Sequence, residues 1–189
     1  MLCNSAIAQA DLSPKQKEYN SIEEALKNPD KVYRLDLSNQ KIDFSGDTWS
    51  KFTKLEYLSL RNDGLNDIPE EIGFLRNLKV LDLSGNKIVS LPQSFKNLKK
   101  LEYLSLRDDH LNEIPDEISF LKNLKNLDLS GNDFKTLPVS FRNLTSLEEI
   151  FLNDEKKFLL NKSIPVLESL PSLRVMHLEN DALRRLTRS

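Results

Sequence analysis

The sequence predicts an α/β solenoid: a short right-handed arc with a parallel sheet on its concave face and loops or short helical turns on its convex face. Three observations predict it. One eleven-residue template recurs along the chain at a nearly constant step. Inside each copy, apolar and polar residues alternate as they do in a half-buried strand. Between copies, a proline is followed by a second apolar group. A single such unit cannot bury its own apolar surface, whereas stacked units share one continuous core.

The template is L-x-x-L-x-L-x-x-N-x-L. Its copies are VYRLDLSNQKI from Val32, LEYLSLRNDGL from Leu55, LKVLDLSGNKI from Leu78 and LEYLSLRDDHL from Leu101, then LKNLDLSGNDF from Leu124, LEEIFLNDEKK from Leu147 and LRVMHLENDAL from Leu173. Starts at 32, 55, 78, 101, 124 and 147 are 23 residues apart, and the last step, to 173, is 26. Positions four and six alternate with polar residues, as in Leu58-Ser59-Leu60. With neighbouring strands about 4.8 Å apart, seven strands span roughly 29 Å, a short arc and not a full horseshoe. A longer period overlies the first: residues 55–100 and 101–146 agree at 31 of 46 positions. The repeating unit is thus a pair, type A (from Leu55 and Leu101) and type B (from Leu78 and Leu124).

The segments between copies also repeat. Ile68-Pro69, Leu91-Pro92, Ile114-Pro115 and Leu137-Pro138 each precede inward-spaced apolar residues, such as Ile72 and Leu75 or Phe95 and Leu98. Together the two motifs resemble the 23-residue leucine-rich repeat with an LPxxFxxL convex half, a type found in bacterial secreted proteins and in intracellular Ras-scaffold proteins. The resemblance covers residues 32 to about 183. It implies one strand plus a loop or short helical turn per repeat, seven repeats over 32–189, and a partner-binding concave face.

The ends read differently. Residues 1–10 end in Ala8-Gln9-Ala10, the small-x-small form cut by signal peptidase. They read as the remnant of a secretory signal, with an Ala-rich cytosolic N-terminus as the alternative. Cys3 is the sole cysteine, so cleavage after Ala10 leaves none and excludes disulfide-capped repeat ends. A bacterial origin fits. Leu2 stands where a lipoprotein signal needs a small residue, which argues against lipidation of Cys3. Residues 11–31 read as a helical cap over the first strand: Ser21-Ile22-Glu23-Glu24 is a capping box, Pro29 stops the helix after about Lys27, and Ser13-Pro14 marks another helical start. Arg184, Arg185 and Arg188 end the chain, either blunting the last sheet edge or forming a charged tail.

Side-chain chemistry then narrows the function. The 189 residues hold 27 basic and 29 acidic side chains, a formal charge of −2. Such balance gives no electrostatic reason to bind nucleic acid. No run of about 18 apolar residues predicts a membrane span. His110 and His177 lie about three repeats apart, too far for joint metal ligation. No Ser–His–Asp or Cys–His set can be assembled, and the five glycines form no phosphate-binding loop. The expectation is a monomeric protein without catalytic residues, cofactor or metal.

Outward positions of the strands carry the candidate site. Tyr57 and Tyr103 at position three, Arg61 and Arg107 at position seven, and Phe151 and His177 at position five share one face. Tyr and Arg are the types that dominate binding interfaces, and Phe151 reads as an exposed ring beside Tyr103 and His177. Position two alternates Glu56, Lys79, Glu102, Lys125 and Glu148, then Arg174, a charge ladder that disfavours register slips. In the asparagine column, Asn86 and Asn132 keep the template while Gln40, Asp63, Asp109, Glu155 and Asp181 depart from it. An ionised carboxylate only accepts; Asp63 and Asp109 are expected to accept backbone N–H bonds, with a loop-edge cation site as the alternative. The leading functional reading is an exported bacterial module binding a protein, such as a host surface protein. The alternatives are a cytosolic Ras-suppressor-like scaffold and the substrate-recognition part of an effector. The latter carry a shorter repeat and a catalytic domain, neither of which is present in this sequence.

Overall fold

The architecture comes from a computed structural model that describes residues 17–42, 44, 47–154 and 157–179. The expected signal remnant, the Ser13-Pro14 start, Glu155, Asp181 and the terminal arginines lie outside the described residues. Eight strands form one parallel sheet in sequence order. They are β1 (Glu18–Tyr19), β2 (Arg34–Asp36), β3 (Tyr57–Ser59), β4 (Val80–Asp82), β5 (Tyr103–Ser105), β6 (Asn126–Asp128), β7 (Glu149–Phe151) and β8 (Val175–His177). Each of β2 to β8 occupies positions three to five of a template copy. Register follows the repeat, pairing Tyr57 with Val80, Val80 with Tyr103 and Tyr103 with Asn126.

Positions four and six make the core. Leu58, Leu60, Leu81, Leu83, Leu104, Leu106, Leu127, Leu129, Ile150 and Leu152 are all buried there. The proline-led segments close the coil from the other side. Pro69, Pro92, Pro115 and Pro138, with φ between −75° and −60°, each precede a 3-10 turn. Proline fixes that φ and carries no N–H to leave unpaired at a helix start. The turns deliver Ile72, Phe95, Ile118 and Phe141, then Leu75, Leu98, Leu121 and Leu144, into the same core. The short helical turns expected on the convex face are thus 3-10 turns. The 26-residue step is different. Its extra length holds a true helix, α2 (Leu160–Leu167), the second of the chain after α1 (Ile22–Ala25).

That N-terminal end is the cap, and it departs from expectation. Helix α1 (Ile22–Ala25) is shorter than expected, and Ser21 accepts the Glu24 amide as its N-cap. Ahead of it, Glu18 and Tyr19 add a strand to the sheet edge, paired with Arg34 and Leu35. Two residues show no readable alternation, so the sequence offered no sign of β1. At the far end, α2 docks through the buried Ser163, whose Oγ accepts the Leu137 amide at 3.1 Å. Phe158, just before α2, packs edge-on to Phe134 at 5.6 Å between centroids. No helix among the described residues is long and apolar enough to cross a membrane.

The paired A/B period has a steric cause. At template position eight the backbone is left-handed in every described repeat from β2 to β7: Asn39, Asn62, Gly85, Asp108, Gly131 and Asp154 all have positive φ. Only Gly, Asn and Asp enter that region readily. The Asn62 side chain lies over Gly85, where a Cβ would sit 2.0 Å from its Oδ1, and Asp108 lies over Gly131 in the same way, at 1.9 Å. The side chain of each type A turn thus fills the space left open by the glycine of the following type B turn.

Candidate functional site

The six predicted site residues lie on strands or strand ends of one face, but they form four separate groups. At the N-terminal side, the Arg34 guanidinium covers the Tyr57 ring, 4.3 Å from its centroid. Burial, reinforced by Asp36 and Asp82, pushes the Tyr57 phenol up to about 12, so it stays a neutral donor. In the middle, Tyr103 is only 1% exposed, with Val80 and Asn126 in register on either side. The inner side of an arc is crowded, and alternate large and small side chains pack into a second layer above the sheet.

At the C-terminal side, Phe151 is 6% exposed, which corrects the expectation of an exposed ring. His177, its register partner on β8, stacks on it at 4.1 Å with planes 3° apart. Glu149 holds this stack: its Oε1 lies 2.7 Å from His177 Nε2, and its Oε2 accepts Asn126 Nδ2 at 2.7 Å. Tyr103 is not a neighbour of Phe151; β6 stands between their strands. The aromatic side chains therefore shape the face more than they project from it.

Arg61 and Arg107 do come together. They line one cavity of about 300 Å³ with Asn62, Asp82, Ser84, Gly85, Ser105 and Asp108. Arg61 is exposed and Arg107 half-buried, with its Nε 3.2 Å from Asp108 Oδ2. The floor is acidic but anchored: Asp82 Oδ1 accepts the Ser84 amide and hydroxyl, and on β6, beyond the hollow, Asp128 Oδ1 accepts the Ser130 amide in the same way. Burial holds the Asp128 carboxyl above its usual range. Two guanidinium groups at matching positions of two type A repeats thus flank a polar hollow at the edge of the concave face.

A larger hollow, about 680 Å³, was not anticipated. It lies beside the segments between strand and 3-10 turn, lined by Glu113, Asp116, Asp133, Lys135 and Lys157 among others. Lys157 pairs with Asp133 at 3.3 Å. Asp133 and Lys157 fall in the last two positions of their template copies and the others between copies, so periodicity alone does not bring them together. The position-two ladder forms pairs, Lys79 with Glu56 at 3.6 Å and Lys125 with Glu102 at 2.8 Å.

In the asparagine column, Asn86 Oδ1 accepts the amides of Asp63 and Leu65, and its Nδ2 donates to the carbonyls of Leu60 and Leu83. Asn132 does the same one pair later, with the amides of Asp109 and Leu111 and the carbonyls of Leu106 and Leu129. Asp63 and Asp109 accept the amides of Gln40 and Asn86 at 2.8 and 2.9 Å, as expected of acceptors. No cluster of three or more His, Cys, Asp or Glu side chains that could hold a metal ion occurs among the described residues.

Comparison with known proteins agrees with this architecture. A family model described as a leucine-rich repeat region matches residues 31–104 and 95–188. An internalin from Listeria monocytogenes superposes with a TM-score of 0.66 at 22% identity, over 82% of this chain and 45% of its own. Internalin C2 from the same organism gives 0.66 at 24% identity, over 81% of this chain and 64% of its own. The plant peptide hormone receptor RGFR1, in complex with RGF2, gives 0.56 at 29% identity, over 76% of this chain and 24% of its own. The chain therefore spans less than two thirds of either internalin. No curated protein matches by sequence.

Proposed function

The chain belongs to the leucine-rich repeat family, and on that premise we propose that it is a non-catalytic interaction module that binds a protein partner on its concave face. Folds of this type typically serve as protein-binding modules. The observation that carries the proposal is the hollow between Arg61 and Arg107. Guanidinium groups recognise carboxylates with paired, directional donors. Placed on rigid strand ends, they cost little ordering on binding. The buried Tyr57, Tyr103 and Phe151 make the rest of the concave face preformed.

Affinity capture from the source organism or its host tests this with three chains: the native protein, Arg61→Ala/Arg107→Ala, and Phe74→Ala/Phe120→Ala on the convex side. A protein retained by the first and third but lost from the second supports the concave face. Loss only from the third contradicts it.

Export is part of the proposal, resting on Ala8-Gln9-Ala10. The mature protein then starts at Asp11 and acts outside the cell or in its envelope, where a host surface protein is within reach. N-terminal sequencing of the native protein decides this. An intact Met1 end in the cytosol would favour a scaffold role instead.

A further inference from the structure

The asparagine column contains two carboxyl groups in places built for an amide. Asp109 is 0% exposed and Asp63 nearly as buried. In each, Oδ1 takes the accepting half of the asparagine pattern, while the buried Oδ2 has no hydrogen-bond partner. By repeat equivalence, Asp109 Oδ2 stands where the Nδ2 of Asn86 and Asn132 donates to carbonyls. The matching carbonyls are those of Leu83 and Leu106, and for Asp63 those of Leu37 and Leu60. An oxygen without a proton faces only acceptors there.

We propose that Asp63 and Asp109 are held as neutral carboxylic acids that donate O–H to these carbonyls, so that the solenoid is tightened by protons and loosened as they leave.

The surroundings agree. The charges that bear on Asp109 are themselves acidic, Asp82 on β4 and the adjacent Asp108; on Asp63 it is Asp36 on β2. Arg107, two residues away, is turned to Asp108 on the outside. Burial is the largest effect and pushes Asp109 up to about 7 and Asp63 to about 6, against the lowering effect of the amides they accept. A group whose folded value is raised binds more protons folded than unfolded. Its contribution is complete below the ordinary carboxylate range and is lost as pH rises to the folded value. The turns affected, around 61–65 and 107–111, also carry Arg61, Arg107 and Asp108 of the concave hollow.

The test is paired denaturant unfolding of the native chain and of Asp63→Asn/Asp109→Asn across pH 4.5 to 8. Asparagine restores the donor without a proton to lose, and Asn86 and Asn132 show that the column accepts it. The unfolding constant of the native chain, relative to the variant, should rise between pH 4.5 and the folded values by about tenfold per pH unit for each group. A ratio independent of pH, or one that falls as pH rises, overturns the proposal. Carboxyl carbon NMR gives an independent reading in the native chain. Asp109 titrating near neutrality supports the proposal, and titration in the ordinary carboxylate range overturns it.

Discussion

At the scale of single residues, the turn column is the most demanding part of the chain. Gly85 and Gly131 combine a left-handed φ of 73° with a neighbouring side chain already in the space a Cβ would take. Gly64 has a similar φ of 69° but open surroundings. Gly131→Ala should therefore cost clearly more than Gly64→Ala, which bears only the backbone penalty of about 1–2 kcal/mol. Thermal melts of the two variants measure the difference; equal costs would remove the role given to Asp108. His110 stands one pair after Gly64 and keeps the same left-handed turn, with φ of 61°. The 46-residue period was readable from the letters, but its cause was not, because it lies in a contact between turns 23 residues apart. The departures at Asp63 and Asp109 were equally visible, whereas their buried, unpartnered oxygens appear only once neighbouring repeats are stacked.

At the scale of elements, the strands were legible because period two and a fixed step overdetermine them, and the core positions followed. Leu104→Ala should destabilise by about 2–5 kcal/mol, as expected for a large-to-small change at a buried site. The outer face was read less well. Alternation separates the two faces of a strand but does not say how crowded each is, so Tyr103 and Phe151 were expected to be open. Tyr103→Ala should now cost at least about 1 kcal/mol of stability as well, through lost packing against Val80 and Asn126. Denaturant unfolding of both variants checks this, and a Tyr103→Ala chain as stable as the native one would mean that the inner layer contributes nothing. The cap illustrates the opposite limit. Ser21 announced α1, and Ser21→Ala should loosen that end by about 1 kcal/mol, seen as faster amide exchange in 22–28. Strand β1, two residues long, carried no pattern to read.

At the scale of the whole molecule, a solenoid's stability is close to a sum of repeats and their interfaces, and its shape follows from stacking. The overall balance of charge hides a local arrangement: acidic groups anchored in the floor of the concave face, and two guanidinium groups at its edge. The exposed Phe74 and Phe120, 53% and 48% accessible, recur at the same 46-residue period on the convex side and are the natural control surface. The claim that matters most is that the working surface is the concave one. It is tested most directly by isothermal titration of a captured partner with the native chain and with Arg61→Ala/Arg107→Ala. Binding should weaken by at least about 2 kcal/mol with a nearly unchanged thermal midpoint, since neither side chain is in the core. Native affinity in that variant, with affinity lost instead in Phe74→Ala/Phe120→Ala, would contradict it.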